Sequence, residues 1–300
     1  MRVRPESERV NYIEDRKVWS ILEIYSLKTG QREVLSVFKD LIEAPNWTKD
    51  GKSLVYNMNG HIWLWDLEKA QAELVETGAA DQCNNDHVLS SDGAGLAVSH
   101  GTWEDGLSRI YTLPLSGGCP SLITPIGPSY LHGWSPDGAT LAYCAERNGQ
   151  YDIYSVPAIG GREKRLTDSP SLDDGPEYSP CGRFIWFNSA RSGLMQIWRM
   201  EFDGSNLKQM TFDESNSWFP HISPDGGQVV YISYNKGDVA PESHPPNKNV
   251  EIRLMPSSGG EFKTLFSLFG GQGTMNVNSW SPDSSKFAFV SYKPINGADY

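Results

Sequence analysis

The stretch "WSPDGATLAYCAERNGQYDIYSVPAIGGREKRLTD", residues 134–168, contains the pattern that decides the fold. It begins with the turn Ser-Pro-Asp-Gly, in which proline fixes φ, aspartate bonds to nearby backbone and glycine takes positive φ. Two strand-like runs follow, "TLAYCA" and "DIYSV", and then a glycine turn and the more polar run "EKRLTD". Together with the segment before the turn, this pattern predicts a unit of four short strands.

The turn recurs six times along the chain, which identifies an internal repeat. Its serine or threonine stands at positions 48, 90, 135, 179, 223 and 281. Successive copies are 42–45 residues apart, except for a gap of 58 before the last one. Four-stranded units at this spacing are typical of a β-propeller, so we predict one all-β domain, residues 1–300, with six four-stranded blades.

The two ends of the chain are expected to share the first blade. Only one strand follows the last turn, whereas residues 18–37 contain two strands that match the outer half of a blade. Closing the ring in this way pairs sheet edges that would otherwise be exposed. The enlarged gap comes from a polar, proline-rich loop at 234–250, and long loops in compact domains often carry binding residues.

The composition narrows the classes of function. The net charge is −11 and no Lys/Arg-rich run is present, which argues against nucleic acid as a partner. No apolar run is long enough to cross a membrane. The N-terminus lacks a secretory signal, so we expect a cytoplasmic protein, or a periplasmic or secreted one if a precursor was trimmed. The four widely spaced cysteines are expected to be free thiols.

The turn, the strands "DIYSV" and "QIWRM", and the segments "GGREKRLT" and "SNLKQMT" resemble those of the TolB-like (Tol-protein-B-like) propellers along essentially the whole chain. The resemblance implies a six-bladed propeller without the N-terminal α/β domain of the Tol-system protein. It implies little about function, because one fold carries many different sites. The WD40-like segment "NGHIWLWD" (59–66) has its Gly-His and Trp-Asp too close together to indicate a WD40 repeat. No P-loop, Rossmann fingerprint, zinc spacing or G-x-S-x-G nucleophile elbow is present.

Polar residues collect directly ahead of the turns, in the strand that lines the central channel of a propeller. His87, His132 and Asn278 stand three residues before the turn serine, and Glu177 and His221 stand two before it. Equivalent positions on different blades converge on one axis, so we expect these side chains to be neighbours at the channel mouth. Loops from the same face could reach over the mouth with His100, Trp103, Arg147, Arg191 and His244.

We predict from this cluster a monomer that binds a small polar ligand, above all a carbohydrate, at the channel mouth. In a lyase or hydrolase, Asp86 or Glu177 would act as the acid or the base, and Asp174 is a further carboxylate for this role. His87 is the third expected catalytic residue. The expected ligand-binding residues are Asn84, Asn85, His132, Trp218, His221, Asn278, Arg147 and Arg191. A divalent metal ion could be held by His87, His132 and His221, as histidines hold one in a related polysaccharide-lyase branch of propellers.

Each of these residue types also has a structural interpretation. Channel histidines can bond to water and loops, Asp173 and Asp174 can form turns, and the two arginines can form salt bridges. Trp103, Trp218, Tyr130 and Phe219 can stack on sugar rings or pack between blades. The alternative function is a protein-interaction scaffold that uses the propeller face and needs no convergent histidines.

Overall fold

The computed structural model describes residues 18–295, in which 23 strands form six antiparallel sheets. The strands, in chain order, are β1 (Val18–Ser26), β2 (Gln31–Phe38), β3 (Ile42–Trp47), β4 (Ser53–Met58), β5 (His61–Asp66), β6 (Gln71–Val75), β7 (Cys83–Leu89), β8 (Gly95–Gly101), β9 (Ser108–Pro114), β10 (Ser121–Leu122), β11 (Ser129–Trp134), β12 (Thr140–Arg147), β13 (Gln150–Pro157), β14 (Lys164–Arg165), β15 (Asp173–Tyr178), β16 (Phe184–Ser189), β17 (Gln196–Glu201), β18 (Lys208–Gln209), β19 (Asn216–Ile222), β20 (Gln228–Tyr234), β21 (Lys248–Pro256), β22 (Lys263–Gly270) and β23 (Lys286–Pro294). This part of the chain contains no helix whose length and hydropathy would let it span a membrane.

The strands form a six-bladed propeller, as the repeat predicted. Five blades are four-stranded and follow chain order: β3–β6, β7–β10, β11–β14, β15–β18 and β19–β22. The first strand of each is innermost, and the first strands of neighbouring blades contact one another. Six apolar clusters lie between successive blades, and the Trp or Tyr that precedes four of the six turns, such as Trp134 and Tyr178, belongs to them.

The turn between the first and second strands is held by its own side chains. In the third of these blades, Ser135 Oγ donates to Asp137 Oδ1 at 2.6 Å, and Ser135 Oγ in turn accepts from Thr140 N at 2.8 Å. Asp137 Oδ1 also accepts from Ala139 N at 3.0 Å. These bonds satisfy the backbone at the corner, which explains why the motif can recur with little variation.

Both termini contribute to the closing blade, which confirms that prediction. Strand β1 pairs with β2 on one side and with β23 on the other. The innermost strand of this blade is reduced to one bridge, Trp280 with Phe287. Residues 271–279 therefore form an irregular segment along the channel, and its backbone carbonyls are available to neighbouring side chains.

Candidate functional site

A cavity of about 540 Å³ opens on the face predicted to carry the channel mouth. Three carboxylates and three aromatic rings form much of its wall, with histidines and amides between them. The residues that line it are Asn84, Asp86, Tyr130, His132, Cys144, Gly149, Gln150, Tyr151, Pro170, Leu172, Asp174, Phe219, Glu242, His244, Gln272 and Asn276. The long loop between β20 and β21 supplies Glu242 and His244, so this loop forms one wall of the cavity.

A charged cluster lies at the inner wall. His132 Nε2 lies 3.3 Å from Asp174 Oδ1 and 3.9 Å from Asp86 Oδ1. Its Nδ1 lies 3.4 Å from the carbonyl of Asn276, in the irregular segment of the closing blade. Burial alone would lower the pKa of His132, but the two carboxylates outweigh burial and raise this pKa to about 9. His132 is therefore an imidazolium at neutral pH.

The two carboxylates of this cluster differ in their pKa. Asp86 is only 5 % exposed, and burial raises its pKa to about 6 despite the attraction of His132. Burial acts on Asp174 in the same sense, but its contacts with His132 and with the Gly175 N–H hold the pKa of Asp174 below the usual value. Pairs of acids with pKa values pushed apart are the arrangement that acid–base chemistry uses.

His244 completes the wall from above. Its Nε2 lies 3.6 Å from Asp174 Oδ2, and its ring meets the Trp218 ring edge-on, with centroids 4.3 Å apart. Trp218, predicted to bind ligand, is fully buried beneath His244 and is not among the residues that line the cavity. Phe219 lines the cavity instead and stacks on His132.

A second polar network lies apart from the cavity lining. Glu177 Oε2 lies 2.6 Å from His221 Nδ1, and Glu177 Oε1 accepts from Ile222 N at 2.9 Å and from Asn278 Nδ2 at 2.7 Å. His221 Nε2 donates to the carbonyl of Met275 at 2.9 Å. These bonds join two blades to the closing segment. They give Glu177, His221 and Asn278 a structural role, so the predicted acid–base role of Glu177 has no support here.

His87, predicted to lie at the channel mouth, lies away from the cavity. It is fully buried and does not line the cavity, and burial lowers its pKa to about 3, so it is neutral. Its neighbour Asn85 donates to Glu43 Oε1 at 3.3 Å rather than facing the cavity. Within residues 18–295, no group of three or more His, Cys, Asp or Glu side chains is arranged to hold a metal ion. The predicted metal triad of His87, His132 and His221 does not fit, because both ring nitrogens of His221 are already bonded.

The predicted cationic and outer aromatic residues lie away from the cavity. Arg147 binds Glu163 through two bonds of 2.8 Å, and Arg191 lies 2.6 Å from Asp173. Their alternative interpretation as salt-bridge residues fits these contacts. Trp103 is 72 % exposed and donates from Nε1 to Asp81 Oδ1, in the loop between β6 and β7, outside the cavity lining.

Sequence reasoning did not single out several lining residues, namely Cys144, Gln150, Tyr151, Glu242, Gln272 and Asn276. Glu242 lies in the long same-face loop and Tyr151 lies at the start of β13, directly after a same-face loop, which was a usable signal. Gln272 and Asn276 lie in the irregular segment, whose path no local pattern indicates. Of the four cysteines, all free, Cys83 and Cys144 are buried while Cys119 and Cys181 are exposed.

Comparison with known proteins agrees with the fold. A family model described as the TolB beta propeller domain (PD40) matches residues 129–261. An uncharacterised protein of Agrobacterium fabrum is 48% identical over 277 residues, which cover 92% of this chain and 93% of that protein. The Tol-Pal system protein TolB of Francisella tularensis is 28% identical over 200 residues, 65% of this chain but only 46% of TolB.

Solved structures with a similar fold include further TolB-like propellers. A structure from Agrobacterium tumefaciens assigned as TolB has 47% identity and a TM-score of 0.88, and the match covers 92% of this chain and 99% of that one. An oligogalacturonate lyase in complex with manganese shares the fold alone, at 16% identity and a TM-score of 0.55, over 83% of this chain and 72% of the lyase. On its sequence, its blades and these matches, the chain belongs to the TolB-like β-propeller family.

Proposed function

We propose that the cavity binds a small polar ligand of the carbohydrate class. The observation that carries this proposal is the buried cluster Asp86–His132–Asp174 on the wall of a cavity of about 540 Å³. Burying three ionisable groups is costly unless they are paired, and such clusters in a cleft mark sites of binding or catalysis. The volume falls in the range of small-molecule sites.

The rest of the wall suits a sugar. Tyr130, Tyr151 and Phe219 offer aromatic faces, the Asn84 amide offers a donor and an acceptor for hydroxyl groups, and the Gln150 amide oxygen offers a further acceptor. The distant structural neighbour acts on an oligosaccharide according to its name, which supports this ligand class on fold alone. It does not support the metal, because the residues here do not form a metal site.

An enzymatic version assigns roles to the two carboxylates. Asp86, with its pKa of about 6, could donate a proton to a leaving oxygen in mildly acidic solution, at about pH 6 and below. Asp174 stays ionised and could act as base or nucleophile, or stabilise positive charge in the transition state. His132 orients both carboxylates through Nε2. Glycosidic bond cleavage is the reaction that this pair supports best.

Binding is tested by thermal unfolding with a panel of neutral, amino and acidic oligosaccharides. A ligand at about 100 times its Kd adds about 2.7 kcal/mol to the free energy of unfolding. We expect one sugar class to raise Tm in the wild type and in Tyr111→Ala, a matched aromatic outside the cavity, but not in Tyr130→Ala. If no sugar shifts the wild-type Tm, the proposal fails, and the scaffold alternative becomes the better explanation.

Catalysis is tested on the sugar that binds. Shorter products are sought by chromatography after incubation with the wild type, with Asp174→Asn and with Asp152→Asn. Asp152 is a buried aspartate paired with Arg165 outside the cavity, and it controls for loss of a buried charge. We expect Asp174→Asn to lower the rate by a factor of about 10² or more while Asp152→Asn keeps it. If a sugar binds but no shorter products form, the enzymatic version is wrong and the protein only binds the sugar.

A further inference from the structure

The charges around the cavity are mostly negative. Asp86 and Asp174 lie on the inner wall and the exposed Glu242 lies at the rim, and His132 is the charged group that opposes them. His244 is neutral at pH 7, because burial lowers its pKa. No lysine or arginine is among the lining residues. An anionic ligand would therefore meet net repulsion, and a cation would meet net attraction.

One carboxylate oxygen on the cavity wall, Asp86 Oδ1, has no hydrogen-bond donor among residues 18–295. Asp86 Oδ2 accepts from Asn84 Nδ2 at 3.0 Å. Asp86 Oδ1 receives no hydrogen bond from any residue in 18–295, and its ion-pair contact, with His132 Nε2, is 3.9 Å long. Buried carboxylate oxygens normally have a donor, so this oxygen is an acceptor available to a ligand. Asp86 itself is 5 % exposed and lines the cavity, so a donor must come from within the cavity.

The surroundings of this oxygen fit an ammonium group. An ammonium has three donors and no acceptor, so it suits carboxylate and carbonyl oxygens. Tyr130 and Phe219 lie on the same wall, and aromatic faces attract cations, more strongly where water is excluded. A neutral hydroxyl could also donate to Asp86 Oδ1, but it would leave the excess negative charge of the wall uncompensated.

We propose that the ligand is an amino sugar with a free amine, whose ammonium group binds at Asp86 Oδ1. This inference rests on the proposed function and narrows its ligand class. The charged amine contacts the inner wall, the amides of Asn84 and Gln272 bind ring hydroxyls, and the rim carboxylate of Glu242 attracts the cation. An acidic sugar of the kind named for the distant lyase would be rejected by the same wall.

The test is isothermal titration at about pH 7 with four probes: the glucosamine dimer, its N-acetylated form, digalacturonate and lysine amide. The N-acetylated form replaces each charged amine by a neutral and bulkier amide with one N–H donor, and lysine amide has amines without a sugar ring. We expect the glucosamine dimer to bind at least about 10-fold more tightly than the other three, the loss typical of one charge-assisted hydrogen bond. In Asp86→Asn, the preference over the N-acetylated form should fall below about 3-fold.

Two control variants keep the test interpretable. Asp152→Asn, a buried aspartate outside the cavity, should keep the full preference. In Glu242→Gln, the side chain can still accept the bond from Leu172 N. The variant loses an exposed charge, so the glucosamine dimer should bind only about 2-fold to 3-fold more weakly. This second variant tests the charge at the rim even if Asp86→Asn fails to fold.

The outcomes separate the two proposals. If the N-acetylated dimer or digalacturonate binds as tightly as the amine, the ammonium site is wrong while carbohydrate binding stands. If lysine amide binds as tightly as the amino sugar, the ammonium site stands and the sugar class is wrong. If none of the four probes binds to the wild type, and no other sugar raises its Tm, both proposals are wrong.

Discussion

At the scale of single residues, the cluster around His132 has a measurable thermodynamic consequence. The imidazolium is held between Asp86 and Asp174, while the carbonyl of Asn276 faces its other nitrogen and His244 lies on the far side of Asp174. Such a site is preorganised, because the fold places the charges before any ligand arrives. The pairing that holds the charges together depends on the proton of His132, so the stability of the fold depends on pH.

We predict that the free energy of unfolding falls as pH rises from about 7.5 to 9. The pKa of His132 rises from 6.5 to about 9 on folding, so in this window the folded chain binds more protons than the unfolded chain. The stabilisation is complete below pH 6.5 and is lost as pH passes through 9, with a size of about 3 kcal/mol. Asp86 is already ionised in this window, and His87, His100 and His244 have lost their protons in the folded and the unfolded chain alike. The buried thiols of Cys83 and Cys144, whose pKa values burial raises, add a smaller fall toward pH 9.

Urea denaturation at several pH values measures this change in the wild type, in His132→Gln and in His61→Gln, a histidine of β5 outside the cluster. We expect most of the fall between about pH 7.5 and 8.5 to disappear in His132→Gln and the whole fall to persist in His61→Gln. A wild-type curve that stays flat over this range would mean that His132 is neutral in the folded protein.

At the scale of strands, a register shift brings several side chains of the innermost strands to the cavity, whereas Asp174 and Tyr130 line it from paired positions. In the five complete blades, the innermost strand slips against the second strand a few residues before the turn. Asn84, Asp86, His132 and Phe219 fall among the unpaired residues of these shifts and line the cavity. His87, Glu177 and His221 are paired in the ladder and do not line it.

This slip explains what the sequence could and could not predict. The turn needs specific residues at fixed places, so its six copies predicted the blades, their order and the shared closing blade. His87 and His132 have the same spacing from their turns, yet only His132 is an unpaired residue. The position of a bulge depends on pairing with another strand and on packing between blades. Spacing along one strand therefore identified the mouth but not the set of side chains that share the cavity.

We predict that Gly175→Ala disturbs the shifted part of β15 and the cavity next to it. Gly175 has φ +62°, and an added Cβ would lie 3.0 Å from the Asn188 amide and 3.2 Å from the Phe219 ring. The Asn188 amide also accepts from Phe219 N at 2.7 Å, so both residues would have to move. We expect a loss of about 2 kcal/mol in the free energy of unfolding.

The matched control is Gly138→Ala, at a turn glycine with φ +75° and no atom within 4 Å of the added Cβ. Both variants have the same backbone strain, about 1 kcal/mol, and only Gly175→Ala adds the contacts. Urea denaturation gives the two losses, and titration with a sugar that binds tests the cavity. Equal losses together with unchanged binding would show that β15 adjusts without moving Phe219.

At the scale of the whole molecule, the ring is closed without a covalent bond by the pairing of β1 with β23. Nine residue pairs join these strands, from Val18 with Pro294 to Ser26 with Lys286. A buried carboxylate adds to this closure. Glu23 of β1 binds Arg32 of β2 through contacts of 2.5 and 2.9 Å, and accepts from Ser291 Oγ of β23 at 2.5 Å. One side chain therefore joins all three strands of the closing blade.

We predict that Glu23→Gln destabilises the whole propeller, because it removes the charge that pairs with Arg32 while it can still accept from Ser291. Glu23 is almost fully buried and Arg32 is one-third exposed, so we expect a loss of about 2 kcal/mol in the free energy of unfolding.

Glu201→Gln is the control, because Glu201 binds Arg183 in the same two-bond manner, but Arg183 is 67% exposed. Its loss should be below about 1 kcal/mol. Urea denaturation measures both, and hydrogen exchange should quicken first in β1 and β23 of Glu23→Gln. Equal losses in the two variants, with exchange unchanged in these strands, would mean that backbone pairing and apolar packing close the ring without help from Glu23.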